Sequence, residues 1–389
     1  MGIGRGKFFM ANLMAALLSA ISLLAANKAF SEDMALIRIL DVCGGSFMKA
    51  VNPGEIKSLR ILKFMKPAGN SCGTWECASK QSPAVGYYDG ALLVPLGEVQ
   101  VGIKGSAQFY VQAESEFLIQ ALDAYGDMVQ TSPLLASPKK GQRADFPNMF
   151  SAPELGKDAG VAGENIAGYS GGLSSGPFSF KKYVEPILEN HCADCHDEGC
   201  SGAAKMVLSG DKGIVFSKSY TEIVWKEGVS ANPDGIGKTR PANAWGAKQS
   251  KIIWMLRDGH GGCELSDGEF FALRLWIDLN VPYYDTVSSA YMENPSGRSP
   301  LSFGELKRLF DICKMPKVLN ADNKTLILAR KYPIEIISFD RPESSEILIN
   351  VPKQSDSYME ALSIIRKGAE RLKLKPREDM QALAPRQGA

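Results

Sequence analysis

The feature that most constrains this chain is the six-residue stretch HCADCH at positions 191–196. It holds two of the chain's 8 cysteines and two of its 3 histidines. From Cys192 onward it reads Cys-x-x-Cys-His, the pattern in which two cysteines attach a c-type haem through thioether bonds and the adjacent histidine ligates the iron. With so few cysteines and histidines in 389 residues, a chance match is rare. The motif therefore predicts one covalent haem c, with Cys192 and Cys195 as the attachment points and His196 as the proximal iron ligand.

Three other interpretations of the motif stay open. A thioredoxin-like redox pair also uses Cys-x-x-Cys, but it requires a βαβ context and has no role for the following histidine. A zinc site could be formed by Cys192, Cys195, His196 and Cys200, although four donors so close in sequence leave little chain to form a tetrahedral cage. The two cysteines of the motif could also form a plain disulfide.

The N-terminus predicts export. Arg5 and Lys7 precede an uncharged, mostly apolar run over 8–27, and small residues at 29 and 31 supply a cleavage site. We therefore expect a signal peptide over 1–31 and a periplasmic or otherwise exported protein. The uncharged run is long enough to span a bilayer, so an N-terminal membrane anchor is the alternative.

The charges of the chain nearly cancel. The 44 Lys and Arg residues and 43 Asp and Glu residues leave a net charge of +1. A chain with this balance lacks the basic surface that nucleic-acid binding needs, so we expect no nucleic-acid partner.

The cysteines outside the motif are even in number, as expected for disulfide pairs in an exported protein. Cys72 and Cys77 could close a short loop, and Cys200 and Cys263 could staple the haem pocket. The sequence does not determine the pairing of the whole set, which is Cys43, Cys72, Cys77, Cys200, Cys263 and Cys313.

The order of predicted elements indicates an α+β multidomain protein, in which an N-terminal β-sandwich-like domain precedes a mainly α, cytochrome c-like haem domain. Short runs of β-forming residues predict the sandwich over 32–136, with a hairpin turn at Lys104-Gly105. Glycine enrichment predicts a linker over 137–176. The haem domain then covers 177–389 and ends in a helical C-terminal extension.

Helical periodicity surrounds the motif. Residues 180–192 predict a helix that leads directly into the first cysteine, and 250–259 and 266–280 predict two amphipathic helices. Ser266 and Glu269 form a capping box at the start of the last of these.

The C-terminal tail contains a possible repeat. Residues 345–368 resemble a degraded copy of 250–278, without the histidine loop and without a preceding Cys-x-x-Cys-His. Two interpretations are open: a second haem unit that lost its haem, or simply a similar helix pair.

The sixth iron position has one histidine candidate away from the motif. His191 adjoins the tether and cannot easily reach the opposite haem face. His260 lies in the loop 259–263, whose glycines permit close approach to a planar cofactor. The alternatives are an open site, His260 as an ordinary exposed loop residue, or a thioether ligand from Met206, Met255 or Met315. Candidates for packing around the haem, or for ordinary core positions, are Trp254, Trp276, Phe270 and Phe271.

Several motifs together resemble the C-terminal cytochrome region of the hydrazine synthase alpha-subunit family. They are VEPILENHCADCH, SKIIWMLRDGHGG, LSDGEFFALRLWIDLNVPYY and FDRPESSEIL. The upstream stretch from LRILKF to DMVQTSP is similar to the β segment that precedes the haem region there, so the resemblance covers most of 55–375. It implies that His260 ligates the iron opposite His196, which gives a bis-histidine haem.

Two features of that family are missing. A first Cys-x-x-Cys-His is expected shortly after DMVQTSP, but the residues there, LLASPKKGQRADF, contain neither Cys nor His. The long β-propeller of the family is also absent. Because the missing first site belongs to the catalytic haem in hydrazine synthase, the resemblance implies no hydrazine-forming activity for this chain alone.

Together these observations predict an exported monohaem c-type cytochrome that transfers single electrons to and from redox partner proteins. An enzyme subunit or small-ligand sensor with an open sixth site is one alternative. A structural subunit of a larger exported redox complex is the other.

Overall fold

The structure, a computed structural model, describes residues 33–65, 83–88, 90–157, 163–170, 172–226, 228–314 and 336–380. Several predictions fall outside these ranges: the signal peptide or anchor over 1–31, the short loop of Cys72 and Cys77, and Met315 as a ligand. Within the described ranges the chain combines two β-sheets with several α-helices, a mixed α+β arrangement.

The described strands all precede residue 158 and form the two sheets. Strands β1 to β9 are Met34–Ile39, Ser58–Met65, Leu92–Gln100, Ala107–Gln112, Glu116–Leu122, Met128–Thr131, Leu135–Ala136, Gln142–Phe146 and Glu154–Lys157. The first sheet has the order β4-β1-β8-β9, in which β1 and β8 are parallel. The second has the order β3-β2-β5-β6, with β7 paired to β5. Alternate apolar residues of both sheets, such as Ile37 and Ile119, share one core between them.

The hairpin predicted at Lys104-Gly105 is wrong. The chain turns tightly there, with Gly105 N donating to Gly102 O at 2.8 Å, but β3 pairs with β2 while β4 pairs with β1. The two strands therefore belong to different sheets. A tight turn serves a hairpin and a crossing between sheets equally well, so the local sequence does not distinguish them.

Part of the segment expected to be a linker belongs to the first sheet. Both β8 and β9 lie within 137–176, and Ala144 and Phe146 of β8 are buried between the sheets. Among the described residues after β9, Ala167 bonds to β3, since Glu98 N donates to Ala167 O at 3.0 Å. The glycines and the shortness of these strands hide their period-2 pattern in the sequence.

The α-helices described begin at Phe180. Helices α1 to α8 are Phe180–Tyr183, Glu185–His191, Ala193–His196, Lys218–Trp225, Lys251–Arg257, Asp267–Asp278, Phe303–Ile312 and Asp356–Leu374. The helix predicted before the motif is present as α1 and α2, with Pro186 in the first turn of α2. Both helices predicted around the histidine loop are present as α5 and α6, and Ser266 and Glu269 form the predicted capping box. In the described ranges, no helix has the length and apolar character needed to cross a bilayer.

The second sheet is buried on both faces. Its Leu62 and Leu118 pack into a core shared with the helices, on the side away from the first sheet. There the buried Arg60 donates to Asp278 Oδ2 at 3.0 Å and to Gln120 Oε1 at 2.9 Å. Because Asp278 is the last residue of α6, this ion pair joins the sheet to the helix that follows the histidine loop.

The tail does not repeat the helix pair of 250–278. Helix α8 packs against α7, but the residues before it form the 3-10 turns Pro342–Ser344 and Glu346–Leu348 instead of a second α-helix. Over 345–368, which the structure describes throughout, the tail therefore lacks the second α-helix that both interpretations require, the lost haem unit and the similar helix pair.

Candidate functional site

The Cys-x-x-Cys-His motif occupies one tight helical turn. Helix α2 ends at His191, Cys192 lies between α2 and α3, and His196 ends α3. Cys192 N donates to Leu188 O at 2.9 Å, and His196 N donates to Cys192 O at 2.9 Å. This turn places both thiols and the imidazole on one short segment, as two thioether bonds and a metal bond to a single haem require.

The His196 ring is oriented by a hydrogen bond to the backbone. Its Nδ1 lies 2.9 Å from Met206 O. A carbonyl oxygen only accepts hydrogen bonds, so Nδ1 carries the proton and Nε2 keeps its lone pair free. That tautomer is the one a histidine ligand adopts when Nε2 binds a metal, since the hydrogen bond of the other nitrogen orients the ring.

Gly202 fits against the same ring. A Cβ at this position would lie 2.8 Å from His196 Nδ1 and 2.6 Å from Cys195 O. The backbone closes around the motif as well, with Gly202 N donating to Cys195 O at 2.9 Å and Leu208 N donating to His196 O at 2.8 Å. Sequence reasoning missed Gly202, because nothing in its immediate neighbours marks it as a contact.

The second missed contact comes from the C-terminal tail. Arg341 donates to both carboxylate oxygens of Asp197, at 2.8 and 3.2 Å, and to Asp211 Oδ2 at 2.7 Å. Partial burial raises the pKa of Asp197, but the hydrogen bonds and positive charge of Arg341, together with hydrogen bonds from Glu198 N and Ser209, lower that pKa overall. Since Asp197 directly follows His196, the tail is bound to the residue next to the motif. The sequence offers one signal: Arg341 lies in the FDRPESSEIL stretch.

His260 lies in the loop that connects α5 to α6. Helix α5 ends at Arg257, Gly259 adopts the left-handed conformation with φ of 77°, and His260–Gly262 form a 3-10 turn. A side chain at position 259 would be strained there, which explains a glycine. The His260 side chain is exposed, and among the described residues none forms a hydrogen bond with its ring.

The structure brings the rings of His196 and His260 together. Their centroids are 6.1 Å apart, with an angle of 38° between the ring planes. Two imidazoles that bind one metal ion from opposite sides, each through a bond of about 2 Å, have ring centres about 6 Å apart. The separation therefore fits a single iron between the rings, and Cys192 and Cys195 lie on the segment that carries one of them.

Cys263 contacts Cys192, not Cys200. The two thiols lie close enough to influence each other, and burial, together with the neighbouring Cys263, raises the pKa of Cys192 to about 12. All six described cysteines are free, so the suggested Cys200–Cys263 staple is not formed. Cys263, the last residue of the loop 259–263, therefore lies beside Cys192, the first cysteine of the motif.

The other candidates of the sequence lie elsewhere. His191 Nε2 is 3.0 Å from Glu269 Oε1 at the start of α6. The backbone oxygen of Met206 accepts the hydrogen bond from the His196 ring, while the Met206 side chain packs against the helical core. Within the described ranges no group of three or more His, Cys, Asp and Glu side chains could hold a metal ion.

The four aromatic candidates have different surroundings. Trp276 is fully buried and donates to Pro282 O at 3.0 Å, so it is an ordinary core residue. Phe271 packs on Tyr169, with ring centroids 5.1 Å apart, and Phe270 lies near Arg257. Trp254 is 54% exposed.

No known family model matches the sequence, and no curated protein matches it. Among solved structures, hydrazine synthase of Kuenenia stuttgartiensis is similar to this chain, with a TM-score of 0.47 and 16% sequence identity. The similarity covers 66% of this chain and 44% of that chain, so this chain spans less than half of that chain's length. At this level of similarity the match assigns neither a family nor an activity to this chain.

Proposed function

We propose that this chain is an exported monohaem c-type cytochrome that transfers single electrons. The observation that carries the proposal is the closeness of the His196 and His260 rings, whose centroids are 6.1 Å apart, with the motif cysteines on the same short segment as His196. The hydrogen bond from His196 Nδ1 to Met206 O adds support, because it leaves Nε2 as the metal-binding nitrogen.

In this proposal each residue has one role. Cys192 and Cys195 would hold the haem through thioether bonds, and His196 and His260 would bind its iron. Haem, when bound, supplies a one-electron iron couple whose potential depends on its axial ligands. Two imidazoles leave no open coordination position, which favours electron transfer over binding of small ligands.

The compartment and partners follow from the same proposal. The N-terminal pattern over 1–31 and the attachment motif both indicate export, either as a cleaved protein or through an N-terminal membrane anchor. The partners are then redox proteins of that compartment. The nearly balanced charge argues against nucleic acid.

Covalent haem attachment is the direct test. Co-expressed with a haem-attachment system, the protein should keep one haem per chain after denaturation and acid-acetone extraction. Replacing both Cys192 and Cys195 by Ser should abolish this retention, whereas Cys200→Ser, a nearby cysteine outside the motif, should preserve it. Tightly bound zinc without haem would contradict the proposal.

One observation favours the small-ligand sensor as a second candidate. The His260 ring is exposed and has no hydrogen-bond partner among the described residues, so this ligand could be displaced. A wild-type ferrous protein that binds carbon monoxide readily would favour the sensor over electron transfer.

A further inference from the structure

The turn between β5 and β6, residues 123–127, is held together by its own carboxylate. Asp123 Oδ1 accepts from Tyr125 N at 2.9 Å and from Asp127 N at 3.0 Å, and Asp123 N donates to Asp127 O at 3.0 Å. Asp123 and Asp127 are both buried. The turn is therefore a fixed platform with two acidic side chains.

Those two carboxylates bind helix α5 near both of its ends. Lys248, just before the helix, donates to Asp123 Oδ2 at 3.0 Å. Arg257, its last residue, donates to Asp127 Oδ1 and Oδ2 at 3.1 and 3.0 Å. The loop with His260 begins immediately after this second contact, so the turn fixes the point from which the loop departs.

The same turn also binds α6, the helix on the other side of the loop. Arg274 lies 2.6 Å from Asp127 Oδ1 and donates to Tyr125 O at 3.2 Å. Arg257 and Arg274 flank the Phe270 ring, with their guanidinium carbons 5.7 and 5.9 Å from its centroid. One buried carboxylate thus connects both helices that border the His260 loop.

The loop itself has mainly local bonds. Gly259 N donates to Leu256 O at 3.2 Å, and Cys263 N donates to His260 O at 3.0 Å. Since no described residue bonds to the His260 ring, the position of the imidazole depends on where α5 and α6 hold the ends of the loop.

We propose that Asp127 is a positioning residue for the distal ligand: through Arg257 and Arg274, the β5–β6 turn holds the His260 loop at the distance at which its imidazole faces His196. This inference rests on the proposed bis-histidine haem. The β-sheet part of the chain then controls how firmly the sixth ligand is bound.

Carbon monoxide binding to the haem-loaded ferrous protein tests this role. Because carbon monoxide must displace His260, its rate of binding reports how often the distal ligand is released. Asp127→Asn should bind carbon monoxide about tenfold faster than wild type, which corresponds to a loss of about 1.4 kcal/mol from the ligand-bound loop. The ferric spectrum should gain high-spin character while covalent haem content is unchanged.

Asp145→Asn is the matched control. Asp145 also pairs with two arginines, Arg143 at 3.0 Å and Arg38 at 3.5 Å, but it lies in the first sheet. This variant should bind carbon monoxide at the wild-type rate. If Asp127→Asn does not fold, Arg257→Gln, which changes a half-exposed side chain, should give a smaller acceleration in the same direction.

The outcomes separate this inference from the function it rests on. If His260→Ala opens the sixth site but Asp127→Asn, or a folded Arg257→Gln, behaves as wild type, the positioning role is wrong and the ligand pair stands. If His260→Ala changes nothing in the spectrum, the bis-histidine haem itself is wrong. Equal acceleration in Asp145→Asn would also overturn the role, because the effect would then be general destabilisation.

Discussion

The two histidines whose ring centroids lie 6.1 Å apart are held by different kinds of structure. His196 ends a helical turn, donates from Nδ1 to a backbone carbonyl 2.9 Å away, and packs against Gly202. His260 lies in an exposed glycine-rich loop and has no ring hydrogen bond to a described residue. One side of the candidate site is therefore fixed by contacts close in sequence, and the other depends on the placement of two helices. We expect the second ligand to be the exchangeable one.

Removing each histidine in turn should give the largest effects and can break this comparison. His260→Ala should keep the covalent haem, become high-spin in the ferric state and bind carbon monoxide readily, while His260→Met should raise the reduction potential. His196→Ala should lose more, because the haem must first bind through its iron before the thioether bonds form. Changes in the shell outside metal ligands already cost about tenfold in affinity, so the amount of haem attached per chain should fall about tenfold or further.

Haem content per chain and the ferric absorption spectrum distinguish the two variants. If both substitutions leave the same haem content and the same spin state, the two sides are equivalent. The expectation that His196 is held more firmly than His260 would then be wrong.

A smaller effect is expected from the glycine behind the His196 ring. Gly202→Ala places a Cβ within 2.8 Å of His196 Nδ1 and should displace the ring or the Cys195 backbone, at a cost of about 1–3 kcal/mol in the free energy of unfolding. Chemical denaturation measures this cost, and the haem spectrum should shift with it. Gly237→Ala, where a Cβ meets no atom within 4 Å, is the control and should leave both unchanged. A Gly202→Ala protein with wild-type stability would show that the residues around His196 can move to make room for the added Cβ, and the expected rigidity of the His196 side would be wrong.

The sequence predicted the local parts of this arrangement. The helix into Cys192, the two helices around His260 and the capping box of Ser266 and Glu269 each depend on neighbouring residues, and each is present. The choice of His260 as the partner of His196 came from the scarcity of histidines and from a family resemblance. The structure brings these two rings together, while haem binding stays a prediction.

The sequence did not predict the contacts that join distant segments. Arg341 with Asp197, and Asp127 with Arg257, are single side-chain pairs between segments far apart in the chain, and no periodicity encodes them. The burial of the second sheet on both faces was also missed. Its strands carry adjacent apolar residues, such as Leu118 and Ile119 of β5, which is the pattern of a strand covered on both faces. The packing of Leu118 with the helices and the buried Arg60–Asp278 pair show that helices cover the outer face.

The smallest effect is expected at the contact between α7 and α8, away from both histidines. It gives a baseline for substitutions that should not affect the candidate site. Glu305 in the first turn of α7 accepts from Arg371 of α8 through both oxygens, at 2.6 and 2.8 Å, and these hydrogen bonds lower its pKa to about 2. A carboxyl group whose pKa is lower in the folded state contributes stability above its unfolded value of 4.5, and this contribution is lost as the pH falls towards 2. Because both side chains are partly exposed, we expect at most about 1 kcal/mol.

Glu305→Gln should therefore be less stable than wild type at pH 7, and the difference should shrink as the pH falls from about 5 to about 3. Denaturation curves across that range measure the difference, and the haem spectrum at pH 7 should be the same in both proteins. Glu360→Gln removes the exposed pair with Arg308 on the same two helices and should show a weaker pH dependence. A change of spin state in Glu305→Gln would mean that the tail is coupled to the iron ligands, and the distal loop would then not be the only yielding part of the site.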